Sequence, residues 1–122
     1  MSTPLFASER EFGDSLADVA KSLGWKRRHT RPARTGRTYV NKQGEEREVW
    51  DSPEQGDSGF PDELYARAGV VLFWELKMPG NKPTPNQTAW IAALGGPSDT
   101  VRVLYPQDYD WAVRMLAEGA RC

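Results

Sequence analysis

The chain has 122 residues, of which 39% are apolar and 27% are charged, and its formal net charge at pH 7 is −1. These proportions are typical of one globular domain and exclude a disordered chain. No apolar run is long enough to span a bilayer, no signal peptide opens the chain, and the one cysteine, Cys122, has no partner for an internal disulfide. We therefore expect a cytoplasmic protein that does not bind membranes.

The first predicted element is a helix that begins after Ser8. Ser8 and Glu11 have the spacing of a capping box, in which a hydroxyl and an acid satisfy the free N–H groups of the first turn. Apolar residues then follow at helical spacing and form one stripe: Phe12, Leu16, Val19, Ala20 and Leu23. Gly24 ends the helix, and residues 25–30 are predicted to form a first strand.

Basic side chains are concentrated on and after this strand: Lys26, Arg27, Arg28, His29, Arg31, Arg34 and Arg37. Such a cluster is a candidate for binding the phosphates of a DNA backbone. The alternative is a solvated, charged strand. His29 is the only histidine, so it is a candidate phosphate contact or general base, or a surface residue without a role.

Segment 35–57 is predicted to be a flap or insertion. Its runs Thr38–Val40 and Glu48–Trp50 flank a turn at 41–44, which predicts a small exposed hairpin. A loop rich in Pro, Gly and Asp follows. Tyr39 and Trp50 are candidates for stacking on unpaired bases, or for packing the flap against the body of the domain.

A second predicted hairpin carries the candidate acids. Asp62 begins its first strand, Ala68 and Gly69 form its turn, and the run VVLFWELK forms its second strand. Strand alternation puts Glu75 and Lys77 on the same face. Because the start of one antiparallel strand lies beside the end of the next, we expect Asp62 and Glu75 to lie close together.

A helix, a strand and a second helix complete the chain. Thr84 and Gln87 have capping-box spacing at the start of a helix that ends at Gly95 and Gly96. A strand is predicted over 100–105, followed by a helix that Asp108 caps and Gly119 ends. The order αβββαβα predicts an α/β domain, with a mixed central sheet flanked by helices.

Two carboxylates and a lysine at the end of an apolar strand are suited to metal-assisted phosphate chemistry. Mg²⁺ prefers oxygen ligands, lowers the pKa of a bound water and offsets charge on a phosphodiester. The alternative for Glu75 and Lys77 is an ion pair on a solvated face. For Gln87 and Glu11 the alternative is helix capping alone.

These residues together resemble a known family. GFPD, a hairpin, ELK and a helix that opens with TPNQ are similar to the motifs of the PD-(D/E)XK nucleases, in particular the small stand-alone phage and bacterial forms of the VRR-NUC branch. The resemblance covers nearly the whole chain and includes the EF pair of the first helix. It implies a restriction-endonuclease-like core, with residues 1–122 as one nuclease domain.

The resemblance also implies a site and an activity. It assigns Asp62, Glu75, Lys77 and Gln87 to catalysis and Glu11, Asp62 and Glu75 to a metal, Mg²⁺ or Mn²⁺, with Glu9 as the second choice for Glu11. The implied protein is a homodimeric endonuclease in the cytoplasm of a bacterial or phage-infected cell, cutting branched or structured DNA as Holliday-junction resolvases do.

Two other functions remain open from the sequence. One is a DNA-binding module that keeps the fold without catalysis. The other is a nuclease subunit that is active only with a replication or repair partner. The chain departs from the family in two places: Glu63 directly follows Asp62 and is expected to point to the opposite face, and the insertion is longer than in minimal members.

Overall fold

Three helices and six strands make up the computed structural model, which describes residues 5–29, 33–51 and 56–119, without the side chains of 33–37 and 48–51. In chain order the elements are α1 (Glu9–Ser22), β1 (Lys26–His29), β2 (Ala33–Val40), β3 (Glu46–Asp51), β4 (Glu63–Arg67), β5 (Val70–Leu76), α2 (Pro85–Ala93), β6 (Val101–Leu104), a 3₁₀ turn (Pro106–Asp108) and α3 (Tyr109–Glu118). The helices and strands of the central domain follow the predicted order.

The central sheet has four strands in the order β1-β4-β5-β6. β1, β4 and β5 are antiparallel neighbours, whereas β6 lies parallel to β5. The α/β class and the mixed central sheet predicted from the sequence are therefore confirmed. Because β5 has a neighbour on each side, its apolar sequence suits a central strand.

The β4–β5 hairpin sets the register on which the candidate site depends. Its turn has positive φ at both central residues, 49° at Ala68 and 86° at Gly69, as hairpin turns that match strand twist require. Glu63 then lies opposite Trp74, and Leu64 lies opposite Phe73. Continuing this register by one pair places Asp62 opposite Glu75.

One face of the sheet packs against α1 and α3. Strand alternation brings Leu72, Trp74 and Leu76 to this face, where they join the apolar stripes of both helices in one buried cluster. Each fully buried side chain of this size contributes about 2 kcal/mol of transfer free energy. Ser15 Oγ and Tyr109 Oη are 2.8 Å apart and link α1 to α3.

The other face carries Phe73 and, two residues later, Glu75. Phe60 contacts both Phe73 and Trp90 of α2 edge-on, with ring centroids 5.8 and 5.0 Å apart. Trp90 Nε1 also donates to the carbonyl of Asp57 at 3.2 Å. The segment before β4 and the helix α2 thus lie over this face, which explains why Glu75 is fully buried.

Strands β2 and β3 form a separate two-stranded sheet. The predicted small hairpin is present and is longer than expected, because its strands begin at Ala33 and end at Asp51. The rest of the predicted flap includes residues 52–55, which lie outside the described residues.

The helix ends agree with the predicted caps except at Asp108. Ser8 Oγ accepts from the Glu11 N–H, and Thr84 and Gln87 form a complete capping box. Asp108 was expected to cap α3, but its Oδ2 accepts instead from the Tyr105 N–H at 2.9 Å, because a 3₁₀ turn precedes the helix. None of the helices in the described part of the chain is long and apolar enough to cross a membrane.

Candidate metal and nucleic-acid site

Asp62 and Glu75 form a carboxyl pair at the end of the β4–β5 hairpin. The register of the hairpin, continued by one pair beyond Glu63 and Trp74, puts them opposite each other, and Asp62 is close enough to raise the pKa of Glu75. Glu75 is fully buried, while Asp62 is half-buried. The two acids that the sequence analysis placed together therefore do meet in the structure.

The Glu75 carboxyl is in an unfavourable environment for a charge. Burial, then the hydrogen bond and negative charge of Asp62, raise its pKa far above the usual range, and Lys77 offsets only part of this. Both of its oxygens are buried without a donor partner. An adjacent acid and a buried position without donors both disfavour the charged form of the Glu75 carboxyl.

The third acid near this pair is Glu9, not Glu11. Partial burial, then the charge of Asp62, raise the pKa of Glu9, although the residue as a whole is exposed. Glu11 is also exposed, but its carboxylate accepts from the Ala7 N–H at 3.3 Å. The metal-ligand role of Glu11 stays a prediction: in the structure Glu11 caps α1, and Glu9, the second choice, is the acid that Asp62 influences.

Helical spacing contained the signal for Glu9. Phe12, Leu16 and Ala20 are the buried residues of α1, together with Gly13. Glu9 lies three residues before Phe12 and seven before Leu16, so it continues the same stripe, whereas Glu11 does not. The prediction of Glu11 relied instead on the EF pair, in which Glu11 directly precedes Phe12.

Lys77 interacts electrostatically with the acids, whereas the contacts of Gln87 are those of a helix cap. Lys77 follows the last residue of β5, and its N–H donates to the Leu104 carbonyl at 2.9 Å, so the ladder to β6 extends to it. Its charge acts on both Glu75 and Glu9. Gln87 Oε1 accepts from the Thr84 N–H at 2.8 Å, so the structure gives Gln87 its capping role.

The basic residues of β1 divide between the two faces of the sheet. Lys26 and Arg28 lie opposite Ala66 and Leu64, on the face of Glu75, and both are exposed. Arg27 and His29 lie opposite Tyr65 and Glu63, on the other face. Arg31 lies outside the described residues, and only the backbones of Arg34 and Arg37 are described.

Arg27 and His29 bind Glu63, the residue that departs from the family pattern and was expected to point to the face opposite Asp62. Arg27 donates from Nη2 to Glu63 Oε1 at 2.6 Å and from Nε to Oε2 at 3.1 Å, and His29 Nδ1 lies 3.0 Å from Oε2. Tyr65 donates from its hydroxyl to Oε1 at 3.4 Å. Burial and the Glu63 charge raise the pKa of Tyr65 well above its usual range, so that hydroxyl stays a donor.

This network changes the DNA-binding prediction for two residues. Burial lowers the pKa of Arg27, but its bonds to Glu63 outweigh that effect and raise the pKa. The guanidinium is therefore committed to a fully buried carboxylate. His29, a candidate phosphate contact, general base or surface residue, has its Nδ1 3.0 Å from Oε2 of the same carboxylate.

The carboxyl groups are suited in kind to a hard divalent cation. No set of three or more His, Cys, Asp or Glu side chains in the described residues is arranged so that it could hold a metal ion as it stands. However, Mg²⁺ commonly uses only one or two protein carboxylates, with waters and phosphate oxygens as its other ligands. Two buried oxygens without partners, beside a second acid, fit that donor set.

Comparison with protein-family models, with curated proteins and with solved structures found no match. The geometry of the acids and of the basic strand therefore carries the functional argument.

Proposed function

We propose that the chain is a metal-dependent DNA endonuclease that hydrolyses phosphodiester bonds. The observation that supports it most is the Glu75 carboxyl, which is fully buried without a donor partner beside a second acid. Burying an unpaired carboxyl costs several kcal/mol, which favours a role beyond packing. In this proposal Asp62 and Glu75 hold Mg²⁺ or Mn²⁺, and Glu9 supports the site through its interaction with Asp62.

Positive charge on the same face supports a phosphate substrate. Lys77 lies close enough to lower the pKa of both Glu75 and Glu9. Lys26 and Arg28 are exposed on the edge strand of that face. The acidic side chains can hold a divalent metal ion, and the basic side chains around them can bind the negatively charged DNA backbone.

The reaction forms a bond between a water oxygen and phosphorus and breaks the bond from phosphorus to one ester oxygen, which leaves with a proton. When bound, the metal lowers the pKa of a water molecule and offsets charge on the phosphate. Lys77 stabilises the negative charge that grows on the phosphate oxygens as the bonds change. Lys26 and Arg28 hold the flanking backbone.

The finer parts of the proposal rest on the resemblance to PD-(D/E)XK nucleases. They are a restriction-endonuclease-like core, a homodimer, and a branched or otherwise structured DNA substrate, with a replication or repair partner as a further possibility. The order of elements in the central sheet is compatible with the first of these. Function is nevertheless argued from the site, because one fold hosts many activities.

The test is cleavage of a set of DNAs that includes linear, nicked, flapped and four-way substrates, with Mg²⁺ or Mn²⁺. We expect metal-dependent cleavage by the parent and none by Asp62→Asn, with Glu11→Gln as the matched acid-to-amide control that stays active. DNA binding without metal binding or cleavage would identify a non-catalytic module. Metal and DNA binding without cleavage would favour a subunit that needs a partner.

A further inference from the structure

The far end of the β2–β3 hairpin is exposed at nearly every residue. We call residues 38–47 the hairpin tip. Asn41 is half-buried and every other residue of the tip is exposed. Tyr39 keeps 53% of its surface exposed and Val40 keeps 68%. Large apolar groups left in water at the end of a projecting element are typical of a contact surface.

The turn of the hairpin tip is held in one conformation. Asn41 Oδ1 accepts from the N–H groups of Gln43 and Glu45, at 3.0 and 2.9 Å. The backbone adds two bonds, from Asn41 N to Glu45 O and from Gly44 N to Asn41 O, both 3.0 Å. Tyr39 and Val40, which directly precede this turn, are therefore presented by ordered backbone, which lowers the entropy cost of binding a partner.

The two faces of the hairpin tip differ in charge. Tyr39 lies opposite Arg47, whereas Val40 lies opposite Glu46, and alternation puts these pairs on opposite faces. Arg47 Nη2 is 3.0 Å from Glu45 Oε2, but both side chains are more than half exposed, so this pair is weak and can open. The Tyr39 face thus combines an aromatic ring with an arginine, which suits nucleic acid, and the Val40 face does not.

The hairpin leaves the central sheet at the candidate site. β1 ends at His29, which pairs with Glu63 at the start of β4, and Asp62 directly precedes Glu63. Residues 30–32 alone join His29 to β2, and a chain of that length spans at most about 15 Å. Tyr39 lies six residues further along β2, which adds about 20 Å. Tyr39 therefore lies within about 35 Å of the acids, which is the length of about ten nucleotides of one strand.

We propose that Tyr39 stacks on an unpaired base of the DNA substrate while Arg47 contacts a neighbouring phosphate. This inference rests on the proposed nuclease function and specifies its substrate, which is DNA with a single-stranded segment close to the cut. Stacking on an aromatic side chain suits any base, because every base has a π-face. The hairpin tip thus recognises unpaired DNA without a preference for its base sequence.

DNA is favoured over a second copy of the chain because the apolar surface is small. A stable protein interface takes about 800 Å² from each partner, and the exposed parts of Tyr39 and Val40 supply only a minor fraction of that and lie on opposite faces. One tyrosine ring is, in contrast, enough to stack on one base.

The test is fluorescence anisotropy of the full chain, without divalent metal, on a duplex and on the same duplex with a ten-nucleotide gap. Tyr39→Thr removes the ring and keeps a good strand former, and Tyr39→Phe keeps the ring. Val40→Thr is the matched control, since Val40 is the adjacent exposed residue on the opposite face. We expect Tyr39→Thr to bind gapped DNA about tenfold more weakly and to bind the duplex as the parent does, while Tyr39→Phe and Val40→Thr bind both DNAs like the parent.

Two results would overturn the stacking inference and leave the nuclease proposal intact. One is equal binding by Tyr39→Thr and Val40→Thr, and the other is equal losses of affinity on gapped and duplex DNA. A smaller assembly of Tyr39→Thr in sedimentation would overturn it by assigning the tip to a second copy. If the parent binds gapped DNA through Tyr39 but never cleaves, the nuclease proposal fails and the DNA contact stands. If the parent binds no DNA, both fail.

Discussion

Arg27 donates two hydrogen bonds to Glu63, from Nη2 to Oε1 at 2.6 Å and from Nε to Oε2 at 3.1 Å, across adjacent strands β1 and β4. The Glu63 side chain is fully buried, and that of Arg27 is 25% exposed. Gly13 of α1 lies directly above, since a Cβ there would come within 3.4 Å of Glu63 Oε1. The first helix and the edge strand are thus both fixed against one buried ion pair, next to Asp62.

Removing Arg27 alone is expected to destabilise the fold. Arg27→Met leaves the Glu63 carboxylate without its main partner, which costs about 3 kcal/mol for a buried pair. Arg28→Met, the same change at the exposed neighbour, is expected to stay within about 0.5 kcal/mol. Urea unfolding measures both. Arg27→Met/Glu63→Leu should recover much of the loss, and equal midpoints for the two single variants would contradict the assignment.

The buried Glu75 carboxyl predicts a dependence of stability on pH. Its pKa in the folded protein is raised above the ordinary glutamate value of 4.5, so the folded state retains a proton that the unfolded chain releases. Its contribution is fully present below about pH 4.5 and is lost as the pH rises towards the folded pKa, by up to about 1.4 kcal/mol per pH unit.

Glu75→Gln, which carries no titrating proton, is the variant that isolates this effect. In metal-free urea unfolding from pH 5 to 8, we expect it to gain stability over the parent steadily as the pH increases. Parallel stability curves for the two proteins would mean that Glu75 is not held protonated.

Metal binding should distinguish Glu9 from Glu11. Glu9 lies beside Asp62, so Glu9→Gln is expected to weaken Mn²⁺ binding at least tenfold, about the loss seen when a supporting group of a metal site is removed. Glu11→Gln, made two residues away on the same helix, should keep the affinity of the parent. Calorimetric titration of the folded variants is the measurement, and the reverse result would restore Glu11 as the ligand.

Arg28 should contribute to DNA binding as a phosphate contact. It is exposed on the face of Glu75, so Arg28→Met should lower the slope of log K against log salt by about one. Arg114→Met is the control, because Arg114 is exposed on α3, which packs on the opposite face. An unchanged slope for Arg28→Met would assign Arg28 to solvation.

Lys77 is expected to act on the rate more than on binding. Its charge stabilises phosphate oxygens that become more negative in the transition state. Lys77→Met keeps the aliphatic stem, so it should bind DNA and metal nearly as the parent does and cut about 100-fold more slowly. Single-turnover cleavage with saturating enzyme measures this. Cleavage at the parent rate would leave Lys77 only a charge partner of Glu75.

Local patterns in the sequence were enough to predict most elements of the central domain. The alternation and length of VVLFWELK, the turn at Ala68 and Gly69, and the Thr84–Gln87 cap each depend on neighbouring residues, and the structure contains all three. Antiparallel register then brings Asp62 to Glu75. These features follow from strand and helix periodicity alone.

The features that the sequence did not predict depend mostly on contacts between residues distant in the chain. From the local sequence, Arg27 and His29 were interpreted as basic residues available to DNA. Their partner Glu63 lies more than thirty positions away in the chain and meets them only because β1 pairs with β4. Glu63 itself looks like a surface acid for the same reason. The placement of Asp108 was missed because a single 3₁₀ turn before α3 redirected its carboxylate.

The hairpin β2–β3 interrupts two strands that are already next to each other. His29 and Glu63 are register partners, so a short turn could join β1 to Asp62 and β4 in place of residues 30–61. Because loop-closure entropy grows only with the logarithm of loop length, the long excursion costs the fold roughly 2 kcal/mol. The hairpin is therefore a natural graft point, where segments of different length can be exchanged while the sheet and its acids keep their register.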